Sequence, residues 1–210
     1  MPKVKSKRKS TWVDMTAMCD VAFLLLTFFM LTSNFTAKEP IQVSTPSSVS
    51  EIKIPEVNVM KIVVDNEGKV FFGFDGQERR ISLLEKMGEA YKINFTNEEK
   101  HQFSLVTSFG IPVEKMKAFL ALSSEARDLK ENALGIPSDS LNNQFKDWVK
   151  AARAVSKDED PTKDKSLIIA IKADQNTPFP KIKNVMNTLQ ELKENRYNLI
   201  TSLEEVPENL

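Results

Sequence analysis

Two carboxylates, Asp14 and Asp20, stand at the head of the most apolar stretch of this 210-residue sequence, and the second lies inside it. Residues 21–35 (VAFLLLTFFMLTSNF) hold no charged side chain. An acid near the centre of a membrane helix is unfavourable by about 2.5–3.5 kcal/mol, and a short Asp side chain cannot snorkel far to water. It escapes by taking up a proton or by facing a partner or a water-filled cavity. The chemistry on offer at Asp20 is therefore reversible protonation. Thr16, Asp20, Thr27 and Asn34 follow one another at spacings of 4, 7 and 7, which on a helix gives one narrow polar stripe on an otherwise apolar surface. One stripe on one helix encloses no proton path, so the remaining walls must come from other helices. On this reading Asp20 is a proton-binding site completed by a second membrane protein. It titrates as protons move down a membrane potential worth about 2.3 kcal/mol per charge per 100 mV. The competing reading makes Asp20 a helix–helix glue or an interfacial acid beside Asp14. Asp14 itself needs only capping and the positive end of the helix dipole to explain it.

Other reactive side chains are sparse. Cys19 is the single cysteine, so no disulfide or Cys-based metal framework forms within one chain. His101 is the single histidine and has no H-x-x-H or Cys companion, so no metal site is expected. No phosphate loop, nucleophile triad or internal repeat is present, and neither a cofactor nor an enzymatic activity is expected. Asp174 invites an active-site reading, but an Asp at a strand-to-helix turn is more often a turn-former or cap.

The element that must position Asp20 is a helix. Residues 15–35 number 21, enough at about 1.5 Å each to span about 30 Å, the thickness of a bilayer's hydrocarbon core. Bulky apolar side chains on every face leave it no amphipathic solution in water, and we read residues 13–35 as a single transmembrane helix. The tail at 1–12 carries Lys3, Lys5, Lys7, Arg8 and Lys9 and no acid, which by the positive-inside rule puts the N-terminus in the cytoplasm and the rest outside. A cleavable signal peptide fits less well, because Phe35 falls where a small residue is needed ahead of Ala37. A lipoprotein signal is a poor fit because Cys19 precedes most of the apolar run. A buried core helix is the remaining alternative. The 29 bases and 29 acids cancel overall, yet from Lys38 onward 24 bases face 27 acids, a net of −3. A basic tail, an apolar span and a mildly acidic body describe a tethered domain rather than a nucleic-acid binder.

Past the helix, residues 36–56 are rich in Pro and Ser and suit a flexible, extended linker. The body, 57–210, reads as α+β. Residues 57–65 and 69–74 form a hairpin about Asn66-Glu67-Gly68, residues 81–93 a helix, and residues 166–173, 179–195 and 197–203 a β-α-β unit. Between them, 94–165 is expected to be a helical insertion with helices at 113–122 and 141–155. It either packs on the domain or, through the aromatic-basic helix carrying Phe145 and Trp148, docks a partner.

The run from Val13 to Met30, with Asp14, Thr16 and Asp20 leading into a leucine-rich stretch that ends in Phe-Met, resembles the N-terminal helix of the ExbD/TolR family of biopolymer transport proteins. Ala17 stands where the family pattern has Pro. The end of the body, with Ile171, Ala173 and Asp174 before a Pro-started helix and a final strand, is similar to that family's periplasmic domain. The resemblance covers roughly 12–83 and 166–205 and stops between 94 and 165. It implies a small periplasmic α/β sandwich-type domain behind one transmembrane helix in the bacterial inner membrane. It places the family's proton-carrying Asp on Asp20 and its Thr on Thr16. It further implies a homodimer within the pore of an ExbB-like polytopic protein, using the proton motive force to drive a TonB-like energy transducer and outer-membrane transport. A TolR-like role in envelope integrity, with peptidoglycan contacts, is the alternative within the family. A signal-anchored periplasmic scaffold or binding protein without proton chemistry is the alternative outside it.

Overall fold

The computed structural model describes residues 15–33, 43–48, 58–127, 129, 132–139, 142–159 and 167–203. The chain divides into two units, Met1–Ala37 and Lys38–Leu210.

The first unit is helix α1 (Met15–Thr32). It contains no Gly or Pro, and its Leu, Met and Ala residues are strong helix formers. Within the second unit, strand β1 (Ser47–Ser48) precedes a hairpin of β2 (Val59–Val64) and β3 (Val70–Phe74), antiparallel with Met60 opposite Phe74 and Val64 opposite Val70. The expected turn closes it: Asp65 Oδ1 accepts from the N–H groups of Glu67 and Lys69 at 2.9 and 2.8 Å. Gly68 takes the positive φ of 80° that the turn requires.

Helix α2 (Gln77–Tyr91) begins earlier than the periodicity suggests, directly after Gly76 at φ 86°, and ends on Lys92 in the left-handed region. Next come α3 (Asn97–Leu105) and the short β4 (Ser108–Phe109), neither of which was expected. The expected 113–122 helix is a 3₁₀ turn, Val113–Lys115, running into α4 (Met116–Leu120). After α5 (Ser124–Arg127), helix α6 (Gln144–Glu159) lies a few residues beyond its expected bounds. The expected β-α-β unit is present as β5 (Ile168–Ala173), α7 (Phe179–Glu191) and β6 (Tyr197–Ile200), with β5 and β6 parallel. The last expected strand is divided, because β7 (Ser202–Leu203) leaves β5 and pairs parallel with β1.

The main sheet has the order β4-β3-β2-β5-β6, with β2 and β5 parallel in the middle. Alternation along the strands sends Met60, Ile62, Val64, Phe72, Phe74, Ile169 and Ile171 into one core. Leu83, Leu84 and Met87 of α2, Phe103 of α3, Trp148 and Val149 of α6, and Val185 and Leu189 of α7 complete that core. The reverse face carries a small second cluster of Val63, Phe71 and Ala133, against which Val43 packs.

Two expectations change here. Residues 43–48, within the stretch expected to be a flexible, extended linker, are docked on the domain, because main-chain pairing with β7 and the packing of the partly buried Val43 outweigh the weak preferences of a Ser/Pro-rich segment. Phe145 and Trp148 are fully buried, so they present no docking surface. Trp148 lies among Phe109, Phe103 and Phe72 at centroid distances of 4.7, 6.2 and 6.3 Å. The 94–165 segment thus supplies much of the main core instead of resting on its outside.

Candidate functional site

Every described residue of α1 is exposed apart from the partly covered Thr27. At about 100° per residue Thr16, Asp20 and Thr27 fall within an arc of about 40°, and Thr27 lies about 10 Å from Asp20 along the axis. Met18, Ala22, Leu25 and Phe29 occupy the opposite side. Among the described residues the Asp20 carboxylate has no hydrogen-bond or ionic partner. Asp14 and Asn34, the ends of the expected stripe, lie outside the described residues.

Thr27 is already committed. Its hydroxyl lies 3.0 Å from the Phe23 carbonyl and 2.9 Å from the Leu24 carbonyl, so its proton is shared between two acceptors on its own helix. Thr32 does the same toward the Phe28 carbonyl at 2.8 Å. What Thr27 offers outward is an oxygen lone pair, an acceptor and not a donor. Asp20 is the one carboxylate on this face among the described residues of the helix.

Asp174 sits where β5 ends, its N–H donating to the Val64 carbonyl of β2 at 3.0 Å. Its Oδ1 accepts the Asn176 N–H at 2.9 Å, the Asx turn foreseen from sequence. Its Oδ2 accepts the Ser44 N–H at 2.9 Å, while the Gln175 N–H returns a bond to the Ser44 carbonyl at 2.8 Å. The Asn176 N–H, then the Ser44 N–H, hold this carboxyl below the usual carboxylate range. Sequence reasoning found the turn and missed Ser44, since no local pattern links positions 130 residues apart.

Two further groups escaped the sequence reading. Arg80 is buried, its Nε donating to the Ser104 carbonyl at 2.9 Å and its Nη1 to the Phe74 carbonyl at 3.2 Å, and burial pulls its pKa down. The start of α3 did have a signal. Thr96 and Glu99 form a reciprocal capping box, with Glu99 accepting the Thr96 N–H at 2.7 Å and Thr96 Oγ1 accepting the Glu99 N–H at 3.2 Å. His101 is exposed, and among the described residues no group of three or more His, Cys, Asp or Glu is placed to hold a metal.

An apolar helix with one acid, followed by a small α+β domain, is an architecture that comparison with protein families can test. A family model described as biopolymer transport protein ExbD/TolR matches residues 6–204. The chain belongs to the ExbD/TolR family. The match runs through 94–165, where the resemblance read from sequence stops, in keeping with the part that this segment plays in the ExbD/TolR domain core. Comparison with curated proteins and with solved structures finds no match. ExbD/TolR membership supports a role in energising biopolymer transport. Together with α1, which has the length and composition to cross a membrane, it supports a single-pass membrane protein.

Proposed function

We propose that this ExbD/TolR protein is a non-enzymatic, ExbD-like subunit of a proton-driven motor in the bacterial inner membrane, with Asp20 as its proton-binding group. The observation that carries the reading is an acid without a partner among the described residues, on a helix whose other faces are apolar and, apart from the partly covered Thr27, exposed. Such a helix is incomplete by itself. Lipid satisfies the apolar faces, but the Asp20 face needs polar protein walls, which an ExbB-like polytopic partner and a second copy of α1 would supply. Protonation removes the charge and lets that face pack against apolar neighbours; deprotonation draws it back toward a polar one. The alternation converts proton flow into helix movement that the outer domain passes to a TonB-like energy transducer. Thr16 and Thr27 line the Asp20 face, and Asn34 extends it. The five bases ahead of the helix favour a cytoplasmic N-terminus and a periplasmic domain.

The deciding experiment is Asp20→Asn, which keeps the shape and removes the titration. The expected result is loss of proton-gradient-dependent uptake with expression, insertion and self-association intact. Full activity of this variant, or of a chain with α1 replaced by an inert helix of equal length, reduces α1 to an anchor.

A further inference from the structure

One side of α6 carries Lys146, Lys150, Arg153 and Lys157 at successive offsets of 4, 3 and 4, which on a helix of about 100° per residue confines them to an arc of about 60°. Two of the four are neutralised from the end of α7. Lys146 Nζ lies 2.6 Å from Glu191, and Arg153 makes a two-pronged pair with Glu194, its Nε donating to Oε1 at 2.6 Å. The other two are not. Among the described residues Lys150 reaches only Asp147, at 3.9 Å, and that acid already accepts the Tyr91 hydroxyl at 2.9 Å. Lys157 is exposed and has no ionic or hydrogen-bond partner among the described residues. Asp158, its neighbour, is held by Lys86 at 2.8 Å.

These two lysines rim a groove of about 330 Å³ between α6 and the chain leaving α7, with Val149, Ala154 and Leu192 among its apolar lining and the Arg153–Glu194 pair at its wall. Val149 and Leu192 belong to or pack on the main core, so the apolar lining is fixed by the fold. Lys150 and Lys157 stand about 10 Å apart along the helix. An extended polyproline II segment rises about 3.1 Å per residue with three residues per turn, so two acids three positions apart share one face at about 9 Å, close to that separation, and an apolar residue between them meets the lining from the side.

We infer that this groove docks an acidic, extended peptide segment of a partner protein, with Lys150 and Lys157 each taking one carboxylate. Charge complementarity selects the occupant, because Lys150, Arg153 and Lys157 face the acid Glu194 in the lining, a locally cationic rim beside an apolar surface on a domain of net negative charge. The site is independent of Asp20 and places a recognition role on the helix that also carries the core residue Trp148.

The test uses the full chain in zwitterionic nanodiscs and a fluorescein-labelled peptide, Gly-Glu-Leu-Ala-Glu-Gly, read by fluorescence anisotropy. Saturable binding is expected, weakened at least about tenfold by K150E/K157E and by replacing both peptide Glu residues with Gln, and weakened by added salt. Both lysines are exposed, so the double variant should keep the wild-type urea midpoint. Asp20→Asn should leave the titration unchanged, which separates failure here from failure of the motor reading. Absence of saturable binding, equal binding by the charge-reversed protein or the Gln peptide, or a loss confined to self-association or to capture of phosphatidylglycerol vesicles overturns the assignment.

Discussion

The Ser44 N–H donates to Asp174 Oδ2 at 2.9 Å, so the segment ahead of β1 is fastened to the end of the central strand β5. The neighbouring bond from the Gln175 N–H to the Ser44 carbonyl makes the attachment two-sided, and the β1–β7 pairing continues it. Residues 43–48 are thereby bound to the domain.

Removing the acceptor should release this strap. In Asp174→Ala the amides of Ser44 and Gln175 are expected to exchange at rates approaching those of an unstructured segment, while amides of β2 and β5 stay protected. Hydrogen exchange read by mass spectrometry at neutral pH measures both. Unchanged protection at Ser44 would show that β1–β7 pairing alone holds the strap.

The pH dependence of the strap follows from the same bonds. The Asp174 carboxyl is held below its ordinary value by the Asn176 and Ser44 N–H groups, so the ionised form is the one the docked state favours. The stabilisation is fully present above the unfolded-state pKa of about 3.9 and is lost as pH falls through the lower folded-state value. Docking should be flat between neutrality and mildly acidic pH and fail only in strong acid. The Ser44 amide resonance, followed by NMR across that range, provides the check.

On α1 the two stripe residues should behave differently. Thr27→Val removes a hydroxyl whose proton is spent on the Phe23 and Leu24 carbonyls, and the expected effect on proton-driven uptake is less than about threefold, within the small scale of intramembrane side-chain hydrogen bonds. Asp20→Asn is expected to abolish uptake. Equal loss in both variants would assign Thr27 a direct part in proton handling.

Trp148 joins α6 to the sheet, and its indole Nε1 has no hydrogen-bond partner among the described residues. Trp148→Ala is expected to destabilise the domain by about 3–5 kcal/mol, the range for large aromatic truncations in cores. Trp148→Phe should be far milder, since it keeps ring packing and removes the unpaired N–H. Urea denaturation followed by far-UV circular dichroism compares them.

Arg80 ties α3 and β3 to α2 through two carbonyls and no carboxylate. Arg80→Met fills the volume but strands the Ser104 and Phe74 carbonyls, and a loss of about 2 kcal/mol is expected by the same denaturation measurement. Arg80→Lys, which restores one donor, should recover part of it.

The apolar span, the place of Asp20 within it, the hairpin and the final β-α-β unit are set by patterns of seven to twenty residues, and such patterns are readable because membrane burial and sheet pleating impose local periods. The capping box at Thr96 and Glu99 belongs in this class too, although it takes structure to draw the eye to it. What only the tertiary structure decided is which surfaces meet. Phe145 and Trp148 look like a sticky outer face until the fold buries both, with Phe72 and Phe109 arriving from elsewhere in the chain against Trp148. The Ser/Pro-rich stretch looks unattached until β7 offers its backbone to Ser47 and Ser48. Burial and main-chain pairing across more than a hundred residues depend on the closed fold, and no local pattern encodes them.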